Sequence, residues 1–92
     1  MPNSLEGKIA VVTGSSKGMG RAIAKAYAAE GAVVYCAARS ENELITVCDE
    51  IRNHGGKAEY VVTDVTDANS VENLFNKVGS DHGKIDIAFL NA

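Results

Sequence analysis

Four short runs of apolar, mostly β-branched residues divide the chain: Lys8–Thr13 (KIAVVT), Ala32–Ala37 (AVVYCA), Ala58–Thr63 (AEYVVT) and Ile85–Leu90 (IDIAFL). Near-continuous apolar runs of this length predict strands covered on both faces, as in a parallel sheet. The segments between them change period. Met19, Ile23 and Tyr27 recur every four residues, and Leu44, Val47, Cys48 and Ile51 repeat the spacing, as do Val71, Leu74, Phe75 and Val78. Each set predicts one apolar helix stripe facing the sheet.

Helix ends are legible as well. Ser40 with Glu43 three residues on forms a capping box, which starts the second helix near Glu41. Asp67 is the N-cap of the third helix, Gly31 closes the first and Gly55 caps the second in a left-handed conformation. The order is β-α-β-α-β-α-β. Right-handed crossovers then give an open, doubly wound α/β sheet in strand order 3-2-1-4, with a ligand crevice at the carboxyl ends of strands one and four.

Composition adds limits. With 92 residues, 46% of them hydrophobic and 23% charged, residues 1–92 make at most one domain. A chain this short buries roughly 60 to 65% of its unfolded surface, enough for a small core but not for a dinucleotide cleft with a second wall. The longest apolar run, IAVV, is far shorter than a membrane span, so no membrane is expected and a cytoplasmic location is the default. The net charge of −3 is dispersed without a basic stripe, so no nucleic-acid partner is expected. Cys36 and Cys48 lack metal or redox spacing and read as buried thiols, and His54 and His82, beside glycines at segment ends, read as solvated loop residues. No metal site is expected.

The chemistry concentrates in TGSSKGMG, where Gly14, Gly18 and Gly20 stand at the turn from the first strand into the first helix. Gly14 permits the sharp turn, Gly18 lets a ligand approach the backbone and Gly20 lets helix pack on strand. Free N–H groups and the positive end of the helix dipole converge on a place suited to a pyrophosphate. A P-loop would need Lys and Ser or Thr after the second glycine, and Met19 and Gly20 stand there instead.

Thr13 to Gly20 resembles the TGxxxGxG element of the short-chain dehydrogenase/reductase family, whose members bind NAD(H) or NADP(H) on a Rossmann fold. Asp64-Val65, ending the third strand, is similar to the family's Asp-Val pair, which implies that Asp64 reads the adenine amino group while the backbone of Val65 touches the ring. Leu90-Asn91-Ala92 resembles the start of the NNAG element, Leu90 departing from its first Asn, and implies Asn91 beside the cofactor ribose. With these, the cofactor-binding set is Gly14, Ser15, Ser16, Lys17, Gly18, Met19, Gly20, Arg39, Ser40, Asp64, Val65 and Asn91.

The end of strand two bears on which cofactor. An NAD site places a carboxylate there for the ribose hydroxyls, but the segment reads CAARS: Ala38 cannot hold a 2′-hydroxyl, whereas Arg39 can bond a 2′-phosphate and Lys17 adds a second positive charge. NADP(H) is expected, with NAD the alternative. The family's acid–base chemistry resembles Tyr-xxx-Lys with a serine, yet Tyr27, Tyr35 and Tyr60 are followed four places on by Gly31, Arg39 and Asp64. No catalytic residue is therefore expected in this chain, which corresponds to the N-terminal half of the family's domain. The implied activity is that of an oxidoreductase on a small carbonyl or alcohol, with no turnover by this chain alone. An unpaired fourth strand would favour a homo-oligomer. A stand-alone nucleotide-binding or interaction module is the alternative.

Overall fold

A computed structural model describes residues 4–91. The elements are β1 (Ile9–Thr13), α1 (Gly18–Ala29), β2 (Val33–Ala38), α2 (Glu41–Asn53), β3 (Lys57–Val62), α3 (Ala68–His82) and β4 (Ile87–Phe89). All strand pairs are parallel and the sheet order is β3-β2-β1-β4, as the alternation of apolar runs and helical stripes predicts. Alternate residues of the central strands feed two cores. Ala10, Val12, Val34 and Cys36 pack with Ala24, Leu44, Val47, Cys48 and Ile51 of α1 and α2. Ile9, Val11, Tyr35 and Ala37 pack with Leu74 and Val78 of α3. Helices thus cover both faces, which is the doubly wound arrangement.

Coverage on both faces holds for β1, whose five residues are all buried, but not for the edge strands. Lys57, Glu59 and Val62 of β3 are exposed, and β4 is half-buried and shorter than expected. A run at a sheet edge has neighbours on one side only, so apolar sequence does not guarantee burial there. Ile85 falls outside β4 and packs on the α3 core, while Leu90 is exposed. Strands β2 and β3 lie one residue away from their expected bounds.

The stripe of α1 requires correction. Met19 is 67% exposed; Gly20, Ala24 and Ala28 are buried, with Ile23 and Tyr27 at the flank of the core. The cause is how closely the helix approaches. A Cβ on Gly20 would lie 2.1 Å from the Gly14 carbonyl oxygen, so the backbone of α1 rests on the turn and only small residues fit beneath it. The larger side chains are displaced to either side.

The other helices match their patterns. Leu44, Val47, Cys48 and Ile51 are buried in α2, and Leu74 and Val78 in α3 with Phe75 packed beside them, while Val71 of the expected α3 stripe is half-buried. Asp67 caps α3 by accepting the Asn69 N–H at 2.9 Å, and Gly31 and Gly55 follow α1 and α2 with positive φ. Ser40 accepts the Glu43 N–H at 3.4 Å, but among the described residues the return bond of the expected capping box is not made. Glu43 is exposed, where water satisfies its carboxylate and the return bond would add little. Cys36 and Cys48 are buried free cysteines, and the neighbouring Cys48 together with burial holds Cys36 as a thiol.

His82 is exposed as expected, but it ends α3 instead of lying in a loop and meets a buried partner. The Tyr35 hydroxyl donates to Asp81 Oδ2 at 2.6 Å and lies 2.9 Å from His82 Nε2. A carboxylate only accepts, so the single phenolic proton goes to Asp81 and His82 Nε2–H donates to the tyrosine oxygen. This relay ties β2 to the last turn of α3. At the start of β1, the Asp86 carboxylate accepts the Ile9 N–H at 2.8 Å, and the Asp86 N–H donates to the Ile9 carbonyl at 2.9 Å.

Gly20→Ala is expected to cost about 2 kcal/mol or more in urea unfolding, since the added methyl meets backbone that cannot swing aside. Gly79→Ala, in α3 with open space around its Cβ position, is expected to stabilise by about 0.5–1 kcal/mol. The Ile9 N–H holds the Asp86 carboxyl below its ordinary range, and the Tyr35 hydroxyl and then Lys77 do the same for Asp81. As pH falls the unfolded chain takes up protons at these groups first. Their stabilisation is therefore complete above about pH 5 and lost as pH drops through their lowered folded values. Urea midpoints measured from pH 7 down to pH 3 should fall, and Asp86→Asn should flatten that slope.

Candidate functional site

The carboxyl ends of all four strands open on one side of the sheet, around a cleft of about 550 Å³. Gly14, Ser16 and Lys17 line it from the turn after β1, and Ala38, Arg39 and Ser40 from the turn after β2. Asp64 and Val65 come from beyond β3, and Asn91 from beyond β4. Eight of the twelve residues singled out from the sequence thus share one hollow. The other four do not line it. Ser15 and Gly20 are buried beneath the turn, while Gly18 and Met19 are exposed at the start of α1. Ala92 of the LNA element lies outside the described residues.

Hydroxyl groups fix the strand ends that form this hollow. The Asn91 N–H donates to Thr13 Oγ1 at 2.8 Å, and that hydroxyl donates to the Asn91 carbonyl at 3.2 Å. Gly14 sits against the same residue: a Cβ there would come within 3.0 Å of the Asn91 amide nitrogen, and its φ of 65° also favours glycine. Ser15, wholly buried, accepts the Ala37 N–H at 2.9 Å, and its own N–H donates to the Ala37 carbonyl at 3.3 Å. The turn after β1 is thereby pinned to β4 on one side and β2 on the other. At β3, the Thr63 N–H donates to the Ala38 carbonyl at 2.8 Å and the Asp64 N–H to the Ser70 hydroxyl at 2.8 Å.

The three helix starts differ. Ser40 caps α2 and Asp67 caps α3, but α1 begins after Lys17 with no side-chain cap and no acidic residue in its first turn. Its leading N–H groups and the positive end of its dipole are left for an anion. Lys17 and Arg39 are exposed cations beside this end. Hydrogen bonds from Thr66 hold the Asp64 carboxyl below its ordinary range, and Arg39 adds to the effect. Glu41 takes the first position of α2 and accepts the Tyr60 hydroxyl at 3.1 Å, which raises the Tyr60 pKa. Such a site can hold an extended, phosphate-bearing ligand across the strand ends. A separate hollow of about 570 Å³ between α1 and α2, reaching Ala28, Glu50 and His54, brings no such convergence of charge and free N–H groups.

The sequence pattern names Thr13 only within the glycine element and Glu43 only as a capping residue, and it does not single out Thr66 or Ser70 near the cleft. The Asp-x-Thr spacing at positions 64 and 66 was a usable signal, because Asp side chains bond backbone two residues on in turns. The Thr13 partnership with Asn91 depends on tertiary placement and has no local signature, whereas Ser70 bonds the Asp64 N–H six residues back at the start of α3.

The family model described as short chain dehydrogenase matches residues 8–92. The 7alpha-hydroxysteroid dehydrogenase of Clostridium sardiniense is 44% identical over 87 residues, covering 95% of this chain and 33% of that protein. A dehydrogenase/reductase from Sinorhizobium meliloti superposes with a TM-score of 0.92 at 38% identity, covering 97% of this chain and 36% of its own. L-Sorbose reductase from Gluconobacter frateurii, solved in complex with NADPH and L-sorbose, gives a TM-score of 0.93 at 35% identity, covering 100% of this chain and 35% of its own. The chain spans about a third of the length of the curated relatives it matches.

Ser15→Ala would leave the buried Ala37 N–H without its side-chain acceptor, and is expected to destabilise by about 1–3 kcal/mol. Urea unfolding of the variant against the parent chain measures the loss, and a change below about 0.5 kcal/mol would show that the clasp contributes little.

Proposed function

Because this chain belongs to the short-chain dehydrogenase family, we propose that it binds NADP(H) and forms the adenosine-phosphate side of an oxidoreductase acting on a small carbonyl or alcohol. The observation that carries this reading is the meeting of Lys17 and Arg39 on one cleft, with Ala38 at the strand end where a carboxylate would be needed to hold a 2′-hydroxyl. Two cations on that side favour a 2′-phosphate, which a carboxylate would repel. The NADPH complex of L-sorbose reductase supports the same choice.

In this reading the uncapped start of α1 and the backbone from Gly14 to Gly20 hold the pyrophosphate. Asp64 and the backbone of Val65 take the adenine, Ser40 supports Arg39 at the 2′-phosphate, and Asn91 lies beside the ribose. The bound nicotinamide would supply hydride chemistry. Residues 1–92 form the N-terminal portion of the dinucleotide-binding domain, and turnover needs groups outside them. Two observations support this. Tyr35 is committed to Asp81 and His82, and Tyr60 to Glu41. Tyr27 packs against the α1–α2 core, so no tyrosine reaches the cleft as an acid. A homo-oligomer in a cytoplasmic setting completes the proposal.

Titration of the chain with NADPH and NADH, followed by nucleotide fluorescence, tests the cofactor choice. Lys17→Ala combined with Arg39→Ala is expected to weaken NADPH by about tenfold or more while changing NADH by less than about threefold. Equal losses for both nucleotides would overturn the preference for the 2′-phosphate.

A further inference from the structure

The turn after β3 restrains one carboxylate oxygen and leaves the other open. The Thr66 N–H and the Thr66 hydroxyl both donate to Asp64 Oδ1, at 2.9 and 2.7 Å. The backbone around this pair is closed by its own bonds: the Asp67 N–H donates to the Asp64 carbonyl at 3.0 Å, and the Asp64 N–H to the Ser70 hydroxyl at 2.8 Å. Among the described residues, Oδ2 has no hydrogen-bond donor. Asp64 and Thr66 both line the cleft. One acceptor of this carboxylate is therefore consumed within the turn, and the other remains for whatever enters.

We propose that Thr66 is a positioning residue for base recognition: by occupying Asp64 Oδ1 with two donors it fixes the carboxylate so that Oδ2 selects a 6-amino purine over a 6-oxo purine. The physical basis is donor–acceptor matching. An ionised carboxylate can only accept, so it pairs with an exocyclic amino group and opposes a carbonyl oxygen at the same place. A carboxylate free to rotate would lose part of that discrimination, because either oxygen could turn toward water and the base would have to order it on binding. The same two bonds also hold the Asp64 carboxyl below its ordinary range, which keeps it ionised and acceptor-only in mildly acidic solution. This rests on the reading of the cleft as a dinucleotide site in which Asp64 meets the base, and adds to it the residue that sharpens the choice.

The test compares two ligands that differ only at the base, NADP+ and its deamino analogue carrying hypoxanthine, titrated calorimetrically against the full chain. The parent chain is expected to prefer the adenine form by about tenfold, and Thr66→Val to reduce that ratio by about threefold or more. Thr66→Ser, which keeps the hydroxyl, is expected to retain the parent ratio. A merely structural role for Thr66 would weaken both ligands alike and leave the ratio unmoved. If Thr66→Val leaves the ratio unchanged while Asp64→Asn collapses it, Thr66 does not position the carboxylate and the proposal is overturned, with the Asp64 reading intact. If Asp64→Asn leaves the ratio unchanged too, or the parent chain shows no base preference, Asp64 does not read the base and both fall. Flat titrations with both ligands would overturn the cofactor reading itself.

Discussion

The approach of α1 to the turn before it governs the rest of the molecule. Helix backbone lies so near the Gly14 carbonyl that no side chain, not even a methyl, fits at Gly20. From this contact follow the small-residue face of α1, the displacement of Met19 into solvent and the direction of the helix axis toward the strand ends. It also sets where the uncapped N–H groups converge.

Around that contact the two faces of the sheet are built differently. The α1–α2 face is lined by small and branched residues, with both cysteine thiols in its interior. The α3 face relies on Leu74 and Val78 and on a polar relay, in which Tyr35 lies wholly within the core while its hydroxyl reaches Asp81 and His82 at the surface. A buried phenol of this kind satisfies its polar end without drawing water into the core. The polar relay engages the last turn of α3, and none of its three residues lines the cleft.

Much of this was legible in the sequence, for reasons that lie in periodicity. Strand β1 and helix α2 are the best examples: an unbroken apolar run becomes a wholly buried central strand, and Leu44, Val47, Cys48 and Ile51 form the buried stripe their spacing describes. The caps at Ser40 and Asp67 were readable because capping is local chemistry. Where the structure departs from the pattern, a contact outside the periodicity decides, whether a few residues away or across the sheet. Met19 matches a helical stripe, but the Gly14–Gly20 approach sets which face is buried. His82 resembles a loop residue until Tyr35, 47 positions away, supplies its partner. The cleft itself was legible as a set of strand ends, because parallel topology brings their carboxyl ends together. The hydroxyl clasp of Thr13 was not, since it arises only when the ends of β1 and β4 have already met.

One consequence of the clasps concerns how such a site can diverge. The residues that hold its floor in shape are buried, Thr13 and Ser15 bonded to neighbouring strand ends and Gly20 packed on the turn, whereas Lys17 and Arg39, at its rim, are exposed. Substitutions at exposed rim positions cost little folding energy, while those in the floor cost a great deal. Ligand preference is therefore open to drift without endangering the scaffold, and a lineage carrying this architecture can exchange one soluble nucleotide pool for another through a few surface changes.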